Sequence, residues 1–324
     1  MLERLPDWPD YGLRDDQRPA LRRLLQAGRP AALATIAALD GGGPRPVGTQ
    51  MVFGEGLVSG FLSGGCVEGD VAVHAAACLS DGEPRRLVYG AGSPWPDIRL
   101  LCGARIEILV ERVTPGDPAA AELLARMDAR RPSVWISDGR RRGCGDTDSA
   151  VWPGAVVVRQ EPVWRLAVLG GDPTAMAIAA LGAQSGLETT LIRPRGPSTP
   201  PPLSGVAYRR NEPGEALAAI GLDAWSAVAI CGHDIDLDHA ALMSALPSPA
   251  PYVGLLGARR RLPERLERLK AAGLADRDLA KLRAPIGLDL GGKSPWEVAV
   301  ATIGEVIALR YSLTGVPAAA AVTA

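Results

Sequence analysis

In the second half of the chain, short apolar segments alternate with helical or loop segments, and this alternation restricts the fold more than any other feature. Five apolar segments follow Pro162: WRLAVLG, ETTLIRP, GVAYRR, SAVAIC and YVGLLG. Each is followed by a helical or loop segment. Buried strands that alternate with helices are typical of a parallel sheet covered on both faces. The pattern therefore predicts a Rossmann-like, doubly wound α/β domain.

The first half has no such rhythm and predicts a mixed α/β domain. Its predicted elements are a helix over 17–28, a strand over 31–39, a hairpin in TQMVFGEGLVSGFL turning at Gly54-Glu55-Gly56, a helix from Cys66 to about Ser80, and strands in RLVYGAG and ARIEILVER. These mix helical and alternating patterns. We place the domain boundary near residue 160, which gives domains over 1–160 and 161–324.

Charge and composition exclude several classes of protein. The chain has 35 Lys plus Arg against 36 Asp plus Glu, which gives no global attraction to nucleic acid or anionic membranes. Its apolar runs are shorter than the roughly 20 residues of a membrane span, and its first residues lack a signal-peptide pattern. The five cysteines are scattered without CxxC spacing, and there are only three histidines. We expect reduced thiols in the cytoplasm, without a His-rich metal site.

The segment FLSGGCVEGD places Cys66 between Gly64-Gly65 and Glu68, where a strand gives way to a helix. A thiol near a helix N-terminus can ionise near neutral pH, and glycine amides beside it can hold an anion. Two interpretations remain open. Cys66 either contacts a soft or metal-bearing ligand or fills a tight turn as a small buried residue. The same alternatives apply to Cys102 beside Gly103.

The turn after the first strand of the second half departs from the dinucleotide pattern G-x-G-x-x-G. It begins Gly170-Gly171 and continues with Asp172 at the second glycine position. Asp172 and Pro173 suit the N-cap and first position of a helix, and the carboxylate would take the amides that a pyrophosphate needs. Arg193 stands where an NAD site has an acid. It suits a 2′-phosphate, another phosphate or a solvated loop, so an ordinary NAD site is doubtful.

Two more strand ends carry candidate side chains. CGHDIDLDHAAL supplies His233 and Asp234 for ligand contact or proton transfer, with a structural hydrogen bond as the alternative for His233. Asp238 is expected to cap the following helix. The next strand ends in a glycine turn with three arginines, which suit phosphate. We expect Gly257 and Arg259 to contact the ligand and the other two arginines to be solvated.

Together these motifs resemble the XdhC/CoxI family, accessory factors for the maturation of molybdenum hydroxylases such as xanthine dehydrogenase and carbon monoxide dehydrogenase. The resemblance spans nearly the whole chain, through LATIAALDGGGPRPVGTQMVFGEGLVSGFLSGGCVE, LLCGARIEILVE, LAVLGGD, YVGLLGARRR and APIGLDLGGKSPWEVAVATIGEVIAL. The family's Gly-Gly-Cys-Glu pattern maps onto Gly64, Gly65, Cys66 and Glu68, and its Cys-Gly pattern onto Cys102 and Gly103. Its Thr-His-Asp…Asp pattern maps onto Gly232, His233, Asp234 and Asp238, so the threonine is absent.

The resemblance implies a protein that binds molybdenum cofactor, protects it and delivers it to an apo molybdenum hydroxylase, rather than a turnover enzyme. Cys66 would be the main contact and metal ligand. The full set of expected cofactor contacts is Gly64, Gly65, Cys66, Glu68, Cys102, Gly103, Gly170, Gly171, Arg193, His233, Asp234, Gly257 and Arg259. A cysteine desulfurase and a second copy of the chain are further implied partners.

Two other functions remain open from the residues. One is an NAD(P)-dependent oxidoreductase that uses the second domain, with His233 as the proton carrier. The other is a thiol redox sensor that pairs Cys66 with Cys102.

Overall fold

Separate sets of buried apolar side chains divide the chain into two units, Met1–Pro162 and Val163–Ala324. The computed structural model describes residues 5–43, 45–93, 100, 103–146 and 149–314. The predicted fold class is confirmed. The first unit mixes helices with antiparallel sheets, and the second contains a parallel sheet covered by helices.

The first unit contains a five-stranded sheet of order β3-β2-β1-β5-β4 and a three-stranded sheet of order β7-β6-β8, both antiparallel. Its elements are α1 (Arg18–Gln26), β1 (Ala31–Asp40), β2 (Gln50–Gly54), β3 (Leu57–Gly60), α2 (Glu68–Asp81), β4 (Arg85–Tyr89), β5 (Arg105–Val113), α3 (Pro118–Asp128), β6 (Ser133–Ser137), β7 (Arg142–Gly145) and β8 (Val156–Gln160). The predicted hairpin is β2 and β3. The helix predicted after Cys66 is α2.

Strand β1 is buried on both faces over most of its length, which explains its largely apolar sequence. Ala34 and Ile36 belong to the core that α2 covers. Leu33 points to the opposite face and joins a second core with side chains from α1, α3 and the small sheet. Successive side chains of a strand alternate between faces, so one apolar strand serves two cores. This packing places the start of α2 at one edge of the large sheet.

The second unit contains a parallel sheet of order β11-β10-β9-β12-β13-β14. Its elements are β9 (Arg165–Leu169), α4 (Pro173–Gln184), β10 (Glu188–Ile192), β11 (Val206–Arg209), α5 (Pro213–Ile220), β12 (Ser226–Ile230), α6 (Ile235–Ala245), β13 (Tyr252–Leu255), α7 (Leu262–Ala271), α8 (Asp276–Leu279), β14 (Leu282–Arg283) and α9 (Pro295–Thr314). Helices α4 and α9 cover one face, and α5, α6 and α7 cover the other.

The strand order is that of a Rossmann fold, in which the first three strands are added towards one edge of the sheet and the next three towards the other. The order switches between the first and fourth strands. Here that point lies between β9 and β12. The loops that follow these two strands therefore meet at the edge of the sheet where such folds bind ligands. Helix α9 begins with a capping box, because the Glu297 carboxylate accepts from the Ser294 amide at 2.9 Å. In the described part of the chain, no helix has the length and apolarity to cross a bilayer.

Candidate functional site

The Cys66 turn, residues Ser63 to Val67, joins the large sheet of the first unit to α2. Gly64 and Gly65 adopt φ angles of 105° and 95°, in the region that favours glycine. Ser63 and Val67 are buried, whereas the three residues between them are exposed. The glycine pair thus reverses the chain so that the Cys66 thiol is exposed to solvent.

The buried Glu68 carboxylate stabilises this turn by accepting hydrogen bonds from its backbone amides. Only 1% of the residue is exposed, and Oε1 accepts from the amides of Leu62 and Ser63 at 2.9 and 2.6 Å. Oε2 accepts from the amides of Gly65 and Val67 at 3.0 and 3.2 Å and from the Ser63 hydroxyl at 2.7 Å. Burial acts to raise the pKa of Glu68, but these donors outweigh it and lower the pKa.

This geometry corrects two expectations about the turn. The amides of Ser63, Gly65 and Val67 are bound to an internal carboxylate, so they are not available to hold an anion. Glu68 itself is enclosed by its donors and organises the turn instead of facing a ligand. The amides of Gly64 and Cys66 are not among the donors to Glu68, so the expected contacts of Gly64 and Cys66 with the cofactor stay predictions.

Further acidic groups lie near the start of α2. Asp70 accepts from the Tyr89 hydroxyl at 2.6 Å and lies 3.5 Å from His74 Nε2. Burial, and then the Asp70 hydrogen bond, raise the pKa of Tyr89. Burial and the Glu68 charge likewise raise the pKa of Tyr11. The Cys66 turn thus lies beside two carboxylates, which disfavours a strongly anionic group there.

The other described thiols are less accessible than Cys66. Cys78 and Cys231 are buried, and burial raises the pKa of both. Cys144 is half-buried, and burial raises its pKa to about 11. Cys102 lies outside the described residues, so its contact with the cofactor remains a prediction. Gly103 follows in a turn where its amide donates to Leu100 O at 2.9 Å.

Asp172 lies at the N-terminus of α4, where a Rossmann fold normally binds a pyrophosphate. Its Oδ1 accepts from the Ala175 amide at 2.8 Å, which confirms the predicted N-cap of α4. Its Oδ2 lies 3.1 Å from His233 Nε2, so the two loops are joined by their own side chains. Arg193 packs on Gly171, where an added Cβ would meet Nε at 2.4 Å. The NAD(P) alternative is therefore disfavoured.

The loop after β12 supplies the cap of α6, and a buried carboxylate within α6 pairs with an arginine of α7. Asp234 caps α6 by accepting from the amides of Asp236 and Leu237 at 3.0 and 3.1 Å. The expectation that Asp238 is the cap is wrong, because it lies inside α6 and is fully buried. Its Oδ2 accepts from Arg265 at 3.0 Å. Burial raises the pKa of Asp238, and Arg265 opposes that effect.

The other oxygen of Asp238 explains the glycine at position 232. Oδ1 has no hydrogen-bond partner among the described residues. A Cβ added at Gly232 would lie 2.1 Å from this atom. A side chain at position 232 therefore requires Asp238 to move.

Two cavities open at the carboxyl edge of the second unit's sheet. One, of about 290 Å³, is lined by His233, Gly257, Leu256, Arg259, Arg260, Arg261 and Arg265 among others. The other, of about 250 Å³, lies beside Gly171, Arg193, Tyr208 and the proline-rich segment 197–202. The predicted contacts in this unit are thus divided between two cavities, except for Gly170 and Asp234, which line neither. Asp238 and Arg265, 27 residues apart, carried no sequence signal that linked them.

Among the described residues, no group of three or more His, Cys, Asp and Glu side chains is placed to hold a metal ion. The predicted metal contact through Cys66 is therefore a single soft ligand. Such a ligand suits a metal that a carrier molecule already holds by its own sulfur atoms.

Comparisons with known proteins agree with the fold and decide the family. Residues 24–90 match the family model "XdhC and CoxI family", and residues 166–306 match the model "XdhC Rossmann domain". The chain is 31% identical to the molybdenum cofactor insertion chaperone PaoD of Escherichia coli (strain K12), over 92% of this chain and 90% of PaoD. The chain belongs to the XdhC and CoxI family.

Two further matches extend the comparison. A protein of Bacillus subtilis (strain 168), named as a probable xanthine dehydrogenase component, is 23% identical over 90% of this chain and 96% of its own length. A crystal structure described as a xanthine dehydrogenase from Bacillus halodurans matches with a TM-score of 0.72 and 22% identity. It covers 94% of this chain and 98% of that one. At this identity, the match supports the fold alone.

Proposed function

We propose that this XdhC-family chain binds molybdenum cofactor as cargo, protects it and delivers it to an apo molybdenum hydroxylase of the xanthine dehydrogenase or carbon monoxide dehydrogenase type. The single observation that carries the proposal is the exposed Cys66 thiol on a turn fixed by Glu68. The 31% identity to PaoD, named as an insertion chaperone, supports the same class of cargo.

The chemistry of the turn fits one part of the cofactor. Molybdenum held by the pterin dithiolene is a soft-ligated metal, and a thiolate is a soft ligand. Glu68 has taken the amides of Ser63, Gly65 and Val67, so the turn offers little to the phosphate or nucleotide tail. We therefore assign Cys66 to the metal or its sulfur and look for the tail's contacts elsewhere.

The partners follow from the proposed delivery. The receiving partner is an apo molybdenum hydroxylase, and a cysteine desulfurase would supply the sulfur for the cofactor. Assembly with a second copy of the chain belongs to the same proposal. We assign this work to the reducing cytoplasm, where an exposed thiol such as Cys66 stays reduced.

The test is retention of the cofactor by a Cys66→Ala protein. Wild type and variant are purified without oxygen from a host fed with molybdate, and bound molybdenum and pterin are measured. We expect the variant to retain at least about tenfold less of both, as is typical when a group that supports a metal is lost. Cys144→Ala is the matched control, because it removes a half-buried thiol in the same unit.

Two outcomes would contradict the proposal. Equal retention by the wild type and Cys66→Ala would remove Cys66 from the binding site. Equal loss in Cys66→Ala and Cys144→Ala would attribute the effect to general thiol loss. Melting temperatures of all three proteins show whether a loss of cofactor merely reflects unfolding.

A further inference from the structure

We propose that the cavity at the carboxyl ends of β12 and β13 is a phosphate-binding site, which holds a phosphate or pyrophosphate group with Arg260 and Arg261. Both residues line the cavity of about 290 Å³ beside Arg259, although the sequence led us to expect them in solvent. Such a site lies beyond the proposed delivery function, since it recognises phosphate whichever molecule carries it.

The usual phosphate position of the fold is already filled. Rossmann domains hold a pyrophosphate at the first turn, on the amides of the following helix. Here Asp172 caps that helix and bonds His233. Asp234 caps α6 in the same manner. Either carboxylate would repel a phosphate placed at its helix.

The start of α7 differs from those two helix starts. A short 3₁₀ turn, Arg259–Arg261, leads directly into it, and the Leu262 amide donates to Arg259 O. The preceding turn, Gly257 to Arg261, brings basic side chains to the cavity where the other turns bring acids. The positive charge of these guanidinium groups suits an anion. This turn therefore replaces the first turn as the phosphate position.

The charge around the cavity is not balanced by the protein itself. Arg265 is neutralised by the buried Asp238 at 3.0 Å. Arg259 lies 3.4 Å from Asp289, but both side chains are more than three-quarters exposed, so this pair contributes little. Within the described residues, neither Arg260 nor Arg261 forms an ion pair, and both are exposed. Two guanidinium groups are thus available to the dianionic charge of a phosphate.

The rest of the cavity suits the organic part of a phosphate ester. Ile235, Leu255, Leu256 and Leu262 contribute apolar wall. The volume of about 290 Å³ is near the lower end for a small-molecule pocket. It fits a phosphate with an attached sugar better than a whole dinucleotide. Arg265 also lines the cavity, and its ion pair with Asp238 fixes the position of its side chain.

Two sources carry this chemistry, namely the phosphate or nucleotide tail of the cofactor and a free nucleotide. The test uses the full chain and isothermal titration with pyrophosphate, ADP and CDP at near-physiological salt. The variant is Arg260→Gln/Arg261→Gln. The matched control is Arg210→Gln/Arg277→Gln, which removes two charges from exposed arginines of the same unit that do not line the cavity.

We expect wild type to bind pyrophosphate and the Arg260→Gln/Arg261→Gln variant to bind it at least about tenfold more weakly, since charge-assisted hydrogen bonds are lost. The control should bind as wild type does. Absence of pyrophosphate binding in wild type, or an equal loss in variant and control, would overturn the site. Both proteins should keep the wild-type melting temperature, because the substituted side chains are exposed.

Two further arms separate this site from the delivery function and identify the source. Pyrophosphate binding should persist in Cys66→Ala, so failure of the Cys66 proposal leaves this readout intact. If the Arg260→Gln/Arg261→Gln variant loses both pyrophosphate and molybdenum cofactor, the cofactor's tail occupies the site. If it loses pyrophosphate binding but retains the cofactor, a free nucleotide occupies it.

Discussion

At the scale of single residues, two internal carboxylates occupy places where the sequence led us to look for a bound anion. Glu68 accepts the turn amides beside Cys66, and Asp172 accepts a helix amide at the Rossmann turn. In both places, a side chain supplies the negative charge that a ligand would otherwise bring. These carboxylates therefore reduce the number of backbone amides that the two turns can offer to a phosphate.

Replacing Glu68 tests whether its carboxylate holds the Cys66 turn. Glu68→Gln puts an amide donor among backbone donors, which leaves buried groups unpaired. We expect a loss of about 1–3 kcal/mol in unfolding free energy at neutral pH, measured by urea unfolding. Glu55→Gln should change little, because Glu55 is exposed on the Gly54–Gly56 turn.

The difference in unfolding free energy between wild type and Glu68→Gln should depend on pH. The pKa of Glu68 in the folded protein lies below its ordinary value of 4.5. Its stabilisation is therefore present above the unfolded-state pKa and is lost as pH falls through the folded-state pKa. The difference between wild type and Glu68→Gln should be largest near neutral pH and shrink below about pH 4. A difference that stays constant with pH would contradict a role for the charge.

The sequence predicted residue roles where the cause is local. The Asp172-Pro173 pair identified the start of α4, because a cap and its helix are adjacent in the chain. The predicted cap at Asp238 was wrong, since Asp234 also has the right residue type and lies one turn earlier. The sequence did not show that Glu68 is buried, because its burial depends on how the turn folds over it. Glu68 was therefore predicted to contact the ligand.

At the scale of elements, apolar periodicity predicted the strands that lie inside sheets. Strands β9, β10, β12 and β13 are largely buried, so their sequences are apolar runs. Strands β8 and β14 were not anticipated. β14 has two residues, which are too few to carry an apolar pattern. β8 begins with three valines, and this β-branched run was overlooked although it is typical of a strand.

Helices α6 and α7 are linked by the ion pair between Asp238 and Arg265, and breaking it should destabilise the second unit. Asp238 is fully buried, so Arg265→Met would leave an uncompensated carboxylate. We expect a loss of about 3 kcal/mol in unfolding free energy at neutral pH, measured by urea unfolding. Arg268→Met is the control, because Arg268 lies in α7 like Arg265 but pairs with an exposed carboxylate, that of Asp236.

A second substitution separates the buried charge from the lost packing. Arg265→Met/Asp238→Asn should recover part of the stability lost in Arg265→Met, since it removes the uncompensated charge. The loss in Arg265→Met should also grow as pH rises, because burial already raises the pKa of Asp238 and Arg265 no longer opposes it. Equal stability of the single and double variants would assign the loss to packing alone.

At the scale of the whole molecule, each unit has the parts of a separate domain. The first contains two cores that share the large sheet, and the second contains a core on each face of its parallel sheet. The two proposed binding features are also assigned to different units, since Cys66 precedes Pro162 and the arginine-lined cavity follows it. Each unit should therefore fold and bind by itself.

Expression of Met1–Pro162 and Val163–Ala324 as separate proteins tests this division. We expect each to unfold cooperatively in urea, because each has a core of the size that a domain of about 160 residues needs. The second protein should bind pyrophosphate about as tightly as the full chain, whereas the first should not bind it. Arg260→Gln/Arg261→Gln in the second protein is the control for the site. Non-cooperative unfolding of either protein would contradict independent domains, and pyrophosphate binding by the first would contradict the assignment of phosphate to the second.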